Sequence, residues 1–315
     1  MVEILIYDLV YLLRRPMKKL NIIIPAIESE RNLLRENLSR LLALLEDAEI
    51  INYAVYVIFQ TGSPDKDIIP SLCSPQVKVY AVSFYSTSKA RNLGLSMVNL
   101  DNENYVYFLD CDAVPSRNFF EMWKHVFFND IPLACGTVRW GEKEMESPCS
   151  LQRGDSMVRF SRPVWKIMQH FLWAYIIRGD LIGFARFNEL VGPGKDTVLK
   201  SGEDMLFFYE VVKASQIASV DVFPRCAVYH PVRPSDLSKE LEYAEGQGAL
   251  YRYLLCKMGL PWDARLGVGI LFFLFIGNAF FRAITFRHNG FQILKNRLHG
   301  VLSSKLQGYY LQSIM

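Results

Sequence analysis

The first two thirds of the chain alternate between short apolar runs and longer runs with apolar residues at helical spacing. The strand-like runs span residues 20–24, 53–59, 77–82 and 105–109, and the helix-like runs include residues 33–45 and 89–98. This alternation predicts an α/β fold in which a mostly parallel, Rossmann-like sheet is flanked by helices on both faces.

Particular residues stand where each predicted strand ends, among them Pro25, Gln60, Thr61, Ser83 and Asp110. In open parallel sheets, ligands bind beyond the carboxyl ends of the strands. We therefore expect these five residues to converge on one cleft.

Asp110 and Asp112 follow the apolar run YVYFL directly. Two carboxylates at positions i and i+2 on a turn can reach one hard cation, and a divalent metal held in this way keeps open positions for phosphate oxygens. Isolated D-x-D pairs are common by chance. The position of this pair after a buried strand favours a metal site.

Further candidates for the same cleft come from later in the chain and from the start of the predicted helix at residues 89–98. Glu203 and Asp204 open an apparent helix, where a carboxylate stays ionised and could accept the proton of an attacking hydroxyl. His230 could complete the metal site. Lys89 and Arg91 could contact phosphate or a carboxylate. Taken singly, each of these patterns also has a purely structural interpretation.

Several segments also form an ordered set of motifs. They are LNIIIPAIESE, FQTGSPD, SKARNLGL, YVYFLDCDAVPSRNFFE, FNELVGPG, SGEDMLFFYEV and VYHP. Together they resemble the family 2 inverting glycosyltransferases of the GT-A fold, of the type that builds bacterial surface polysaccharides. The resemblance covers residues 20–231, two thirds of the chain, and depends on the order and spacing of the whole set.

The resemblance implies a role for each residue. Asp112, with Asp110 and His230, would bind a divalent metal, Mn2+ or Mg2+, that neutralises the leaving diphosphate of a nucleotide-sugar donor. Asp204 would be the catalytic base that deprotonates a hydroxyl of a glycan or lipid-linked glycan acceptor, and a single displacement would invert the anomeric carbon. The expected donor-binding residues are Pro25, Gln60, Lys89, Arg91, Asp110 and Glu203.

Two sites depart from the family's pattern. Glu28 stands where the family has Asn after the opening proline, and Gln60 and Thr61 replace an acidic pair. The second acidic residue of that pair usually contacts the nucleobase, so its replacement leaves the donor nucleotide open.

The C-terminal region predicts contact with a membrane. We divide the chain into an N-terminal amphipathic segment, residues 1–18, a GT-A domain, residues 19–234, and a helical extension, residues 235–315. Residues 266–281 carry no charge, and Arg265 and Arg282 flank them. This run is short for a span, and it could cross the membrane, lie in or re-enter it, or form a buried core helix. We expect a peripheral or monotopic protein at the cytoplasmic face of the inner membrane.

Other functions fit the sequence less well. A net charge of +3 argues against a nucleic-acid partner. A nucleotidyltransferase would use a glycine-rich basic loop after the first strand, but PAIESERN contains no glycine. A non-catalytic glycosyltransferase-like subunit is an alternative that only Gln60 and Thr61 favour.

Overall fold

The protein, seen in a computed structural model, is described over residues 18–62, 74–141, 158–160, 171–231, 237–256, 259–260, 262–285 and 289–302. The predicted amphipathic segment, except for Lys18, lies outside these residues. The strands are β1 (Lys19–Ile27), β2 (Tyr53–Gln60), β3 (Val77–Val82), β4 (Asn104–Phe108), β5 (Val114–Pro115), β6 (Leu133–Trp140), β7 (Val158–Phe160), β8 (Tyr175–Arg178) and β9 (Val220–His230). The helices are α1 (Arg31–Asp47), α2 (Thr87–Ser96), α3 (Arg117–Phe128), α4 (Gly179–Ile182), α5 (Glu203–Ser215), α6 (Leu237–Cys256), α7 (Trp262–Ile284) and α8 (Gly290–Leu302).

The described strands form one sheet in the order β3-β2-β1-β4-β8-β6-β9-β5, and β7 pairs with β9. The first four strands in this order run parallel, as predicted, and β6 is also parallel to β9. β8 is antiparallel to β4 and β6, and β5 and β7 are antiparallel to β9. The parallel half places four strand ends at one edge of the sheet.

Pro25, which was predicted to end a strand, and Pro224 both lie inside strands. β1 continues through Pro25 to Ile27. The Ile23 carbonyl accepts the Leu109 N–H on the β4 side, and Pro25, two residues later, faces the same side, where pairing with β4 has already ended. The missing N–H of Pro25 therefore costs no ladder bond. β9 likewise continues through Pro224, beside an irregularity in its register with β6.

The sheet is buried on both faces. Ile22 and Ile24 of β1 pack on the side of α1 and α3, whereas Ile23 packs on the side of α2 and α5. Gly94 brings α2 close to β1, because a Cβ at this position would lie 2.5 Å from Ile23 Cγ2. This close packing sets the position of Arg91, one turn earlier on α2.

The three C-terminal helices form a layer beside the α/β region. α6 and α7 join a core cluster with α5 and the loop before it, and its buried members are Val191, Leu199, Leu206, Tyr209, Ala249, Leu250, Leu254, Leu260 and Val268. A smaller cluster of Ala244, Ala279 and Ile293 holds α6, α7 and α8 together. The layer is therefore packed against the sheet region and is not a detached tail.

α7 contains the predicted apolar run. Within the described part of the chain, Arg265–Ile284 is the one stretch that is long and apolar enough to cross a membrane, with a mean hydropathy of 1.9. Only 17% of the most apolar 18-residue stretch of this helix is buried inside the protein. The core helix of a soluble protein would be mostly buried, so this low burial counts against the alternative of a buried core helix.

Candidate functional site

The turn after β4 carries the predicted metal motif. The Ala113 N–H donates to the Asp110 carbonyl at 3.0 Å, which closes a tight turn around the D-x-D residues. One oxygen of Asp110, one oxygen of Asp112 and one ring nitrogen of His230 lie within 4.8 Å of one another. The structure therefore brings the three predicted metal ligands together.

His230 is the last residue of β9 and is buried. Its Nδ1 donates to the Pro231 carbonyl at 2.9 Å, because a carbonyl oxygen only accepts, and its Nε2 lies 3.2 Å from Asp112 Oδ1. Burial lowers the pKa of the imidazole, but the bonds to Asp112 and Pro231 outweigh burial and raise the pKa above its ordinary value. In the neutral form, Nε2 presents its lone pair beside the Asp112 carboxylate.

These donor atoms fit a divalent cation. Carboxylate oxygens suit Mn2+ and Mg2+, and the imidazole nitrogen favours a transition metal such as Mn2+ over Mg2+. A carbonyl partner on Nδ1 fixes the tautomer that binds metal through Nε2. Burial raises the pKa of Asp110, and although Arg91 lowers it, repulsion from Asp204 and Asp112 adds to the rise. A cation would relieve this crowding of negative charge.

Arg91 of α2 connects the metal motif with the predicted base. Its side chain is 2% exposed, its Nη2 donates to Asp110 Oδ1 at 2.8 Å, and its Nη1 donates to Asp204 Oδ1 at 2.6 Å. Burial alone would lower the pKa of the guanidinium, but attraction to Asp204, Asp110 and Glu203 raises it above its ordinary value. The sequence left phosphate and carboxylate open as partners of Arg91, and the structure places it between carboxylates.

Glu203 and Asp204 lie in the first turn of α5, after Gly202. Gly202 has a φ of +106°, a left-handed conformation that glycine adopts without strain. Burial raises the pKa of the Glu203 carboxyl, repulsion from Asp204 adds to this, and the pKa reaches about 8 despite Arg91. The raised pKa favours the protonated form of Glu203 over the carboxylate that a base requires.

The two oxygens of Asp204 have different partners. Oδ1 accepts the short bond from Arg91, whereas Oδ2 accepts a longer one, 3.4 Å, from the backbone N–H of Leu172. Leu172 begins a short 3-10 segment, Leu172–Ala174, that leads into β8. Asp204 is thus fixed between α2 and the start of β8.

Two predicted donor-binding residues do not contact this cluster. Pro25 is buried within β1, opposite Ile58 of β2. The Lys89 ammonium lies 6.0 Å from the centre of the Phe84 ring. Their predicted roles stay predictions.

Gln60 and the two other residues that depart from the family's pattern form hydrogen bonds at the ends of β1 and β2. The Gln60 amide donates to the Ala26 carbonyl at 3.5 Å and accepts the Ser86 N–H at 2.6 Å. Thr61 Oγ1 donates to Glu28 Oε2 at 2.8 Å. Gln60 therefore ties β2 to β1 and to the start of α2, and the substitution at Thr61 is matched by the one at Glu28.

An aromatic cluster beside His230 was not predicted. Trp140 is paired in register with His230, and their ring centres lie 5.0 Å apart. Phe171 stacks on Trp173 with ring centres 5.2 Å apart and planes inclined by 15°. The only sequence signal was the density of aromatic residues in FLWAY, because the partners are far apart in the chain.

Known proteins resemble this chain in fold and not in sequence. No protein-family model and no curated protein matches this sequence. Solved structures of S. aureus TarS do resemble it. Residues 1–349 of TarS in complex with UDP-GlcNAc match with a TM-score of 0.55 at 15% identity, over 79% of this chain and 70% of that one. The predicted GT-A fold is confirmed.

Two further TarS structures agree with this result. Residues 1–349 of TarS match over 93% of both chains, with a TM-score of 0.54 and 16% identity. A longer TarS chain matches with a TM-score of 0.52 and 16% identity, over 79% of this chain and 42% of that one. At such low identity the likeness concerns the fold.

Proposed function

We propose that this protein is an inverting, metal-dependent glycosyltransferase that moves a sugar from a nucleotide-sugar donor to a glycan or lipid-linked glycan in surface polysaccharide synthesis. The main support for the proposal is that Arg91 bonds to both Asp110 and Asp204. Asp110 belongs to a group of possible metal ligands with Asp112 and His230, and Asp204 is a carboxylate placed to act as a base. A base that accepts the hydroxyl proton and a cation that stabilises the leaving diphosphate both lower the barrier to displacement of a nucleoside diphosphate by a hydroxyl.

In the proposed reaction, Asp204 accepts the proton of the acceptor hydroxyl while the hydroxyl oxygen bonds to the anomeric carbon of the donor sugar. The bond from that carbon to the phosphate oxygen breaks on the opposite face, its electron pair leaves with the nucleoside diphosphate, and the configuration inverts. Bound Mn2+ or Mg2+ would supply positive charge that stabilises the leaving group. Arg91 holds Oδ1 of Asp204, so Oδ2, with its longer bond to Leu172, is the oxygen proposed to take the proton.

The first experiment is calorimetric binding of UDP, GDP and dTDP to the full chain, each with and without Mn2+. The complex of TarS with UDP-GlcNAc makes UDP the first nucleotide to test. We expect one nucleotide to bind only with Mn2+, and Asp112→Ala to lose that binding. An Asp47→Ala variant, changed at an exposed aspartate of α1, serves as the control. Absence of binding for all three nucleotides would favour an unusual donor or a non-catalytic subunit instead.

We further propose that α7 lies in the plane of the membrane at its cytoplasmic face, where it would bring the site to a lipid-linked acceptor. Exposed apolar side chains lie on one face of α7, at Leu266, Ile270, Phe273, Leu274, Phe280, Phe281 and Ile284, with the exposed Gly277 between the two groups. The opposite face packs on the protein near both ends of the helix, through Val268 and Ala279. A stripe of this kind is typical of an interfacial helix.

Charged groups support the same orientation. Arg297 of α8 donates to the Phe275 carbonyl, in the middle of α7, at 2.7 Å. A spanning α7 would carry this guanidinium towards the middle of the bilayer, where charge is costly. Residues 262–315 contain six Lys and Arg residues and one acidic residue, Asp263, a formal charge of +5 that favours anionic lipids.

Vesicle co-sedimentation tests this orientation, with phosphatidylcholine alone and with added phosphatidylglycerol. We expect binding to the anionic vesicles, a loss of binding in Phe273→Glu, and release of the wild-type protein by alkaline carbonate. The control is Phe128→Glu, because Phe128 of α3 is 60% exposed, comparable to the 75% of Phe273. Resistance to carbonate would indicate a spanning helix, and normal binding of Phe273→Glu would exclude the α7 face as the contact.

A further inference from the structure

Two aromatic side chains form an exposed corner next to the acidic site. Trp140 at the end of β6 is 46% exposed, and Phe171 before β8 is 37% exposed. Their ring centres lie 5.5 Å apart with planes inclined by 85°, so one ring forms a floor and the other a wall. We call these two residues the aromatic corner.

Buried rings hold the aromatic corner in place. Phe171 is stacked on Trp173, which is 1% exposed. The ring centre of Trp173 lies 5.1 Å from that of His230, and Trp140 also contacts both rings. The exposed rings of Trp140 and Phe171 are therefore held in place by contacts with the buried rings of Trp173 and His230.

The aromatic corner is connected to both halves of the proposed site. His230, which touches Trp140, lies 3.2 Å from Asp112 in the group of possible metal ligands. On the other side, Phe171 immediately precedes Leu172, whose backbone N–H contacts Oδ2 of Asp204. A molecule seated on the corner would therefore lie beside the oxygen that we propose as the proton acceptor.

We propose that the aromatic corner binds the acceptor sugar ring, an inference that rests on the proposed function. One face of a pyranose ring presents C–H groups and its rim presents hydroxyls, so the ring can stack on an aromatic face while a hydroxyl points to a polar group. Here the stacking face would be Phe171 or Trp140, and the polar group would be Asp204. We assign the bound sugar as the acceptor and not the donor. Phe171 of the corner precedes Leu172, whose N–H contacts Oδ2 of Asp204, and Oδ2 is the oxygen that we propose accepts the proton of the acceptor hydroxyl.

The test is saturation-transfer NMR on the full chain with the methyl glycosides of glucose, galactose and N-acetylglucosamine, which carry no aromatic group. We expect transfer to the ring C–H protons of at least one glycoside. Trp140→Ala and Phe171→Ala should weaken its binding about tenfold. Trp140→Phe, which keeps a flat ring, should recover most of the affinity, whereas Trp140→Leu, which is apolar but not flat, should not.

A matched control is Phe184→Ala, since Phe184 is fully exposed at 100% and lies two residues after the end of α4. It should bind the glycoside normally. The inference falls if no glycoside shows transfer in the wild-type protein, if the alanine variants keep the signal, or if Trp140→Leu equals Trp140→Phe.

A second arm separates the acceptor from the donor sugar and from the proposed function itself. UDP and UDP-GlcNAc are titrated with Mn2+ into the same variants. We expect the ratio of their affinities to be unchanged in Trp140→Ala and Phe171→Ala. A selective loss of UDP-GlcNAc binding would assign the corner to the donor sugar and overturn the inference. Glycoside binding without any nucleotide binding would support the corner while counting against the proposed donor site.

Discussion

The edge of the sheet and the C-terminal helices arrange charge and apolar surface in opposite ways. At the sheet edge, charged groups are gathered inside, where Arg91 is 2% exposed between Asp110 and Asp204. In the helical layer, Arg297 is also nearly buried at 9%, but large apolar side chains such as Phe273 face outwards, at 75% exposure. The first region buries charged groups at the proposed site. The second exposes apolar side chains on its surface and keeps the Arg297 guanidinium beneath them.

This difference indicates two kinds of surroundings. Clustered buried charges cost stability and are often found where chemistry occurs. A continuous apolar face would promote association in water, and it suits a lipid surface instead. The Arg282 guanidinium forms an ion pair with Glu240, which holds α7 to α6 from the side opposite the stripe. We therefore expect changes in one region to leave the other region's behaviour intact.

The largest expected effect tests this independence through Asp112→Ala. Loss of a metal ligand should lower the transfer rate roughly a thousandfold, because several kcal/mol of leaving-group stabilisation is removed. The measurement is nucleotide release from the donor that calorimetry identifies, with melting temperature and vesicle binding measured in parallel. Unchanged transfer by a folded variant would rule out the metal assignment, and a loss of vesicle binding would break the comparison.

The next effect concerns stability at the sheet edge. Arg91→Met should lower the free energy of unfolding by about 3 kcal/mol, because the buried Glu203 and the partly buried Asp110 and Asp204 would be left without their cation. The loss should shrink at acidic pH, because protonation removes the negative charge that Arg91 balances. Denaturant unfolding at two pH values measures it.

A surface arginine provides the control for Arg91. Arg40 of α1 pairs with Glu36, and both side chains are more than half exposed, at 57% and 60%. Arg40→Met should cost less than about 1 kcal/mol. Equal losses for the two variants would mean that the buried cluster is no more important than a solvated ion pair.

The helical layer depends on a close backbone contact. A Cβ at Gly300 of α8 would lie 2.0 Å from the Glu245 carbonyl oxygen of α6, so Gly300→Ala must push the helices apart. We expect a loss of about 1–3 kcal/mol. At Gly277 of α7 a Cβ would meet no described atom within 4 Å, and Gly277→Ala should stabilise the helix by about 0.5–1 kcal/mol. A lower melting temperature for Gly300→Ala and a higher one for Gly277→Ala would support the packing. A change of the same sign in both variants would contradict it.

Much of the fold could be predicted because parallel strands are apolar along their length and their ends meet at one edge. The order of the motifs likewise predicted that Asp110, Asp112, Asp204 and His230 would belong to one site. The partners of Arg91 could not be predicted, because they depend on how closely Gly94 lets α2 approach β1. A local pattern contains no such distance.

The aromatic corner shows a second limit of the sequence. Trp140 and Phe171 are separated by 31 positions, and they meet because β6 lies between β8 and β9 in the sheet. Gln60 shows the converse case. It stands where the family has an acidic residue, yet its amide bonds to Ala26 and Ser86, so its place in the structure is explained by the backbone around it. Strand order in the second half of the sheet was not available from periodicity.

The last prediction concerns a slope, because the pH dependence of stability separates the buried Glu203 from an exposed carboxyl. The pKa of the Glu203 carboxyl is raised from 4.5 to about 8 in the folded protein, so the folded state holds a proton that the unfolded chain releases above pH 4.5. The contribution of Glu203 to stability is therefore complete at low pH and is lost as pH rises through about 8. Glu203→Gln should flatten the decline in the free energy of unfolding across this window by up to about 1.4 kcal/mol per pH unit. Glu242→Gln, at an exposed residue of α6, should leave the decline unchanged, and equal slopes in wild type and Glu203→Gln would show that burial does not retain the proton.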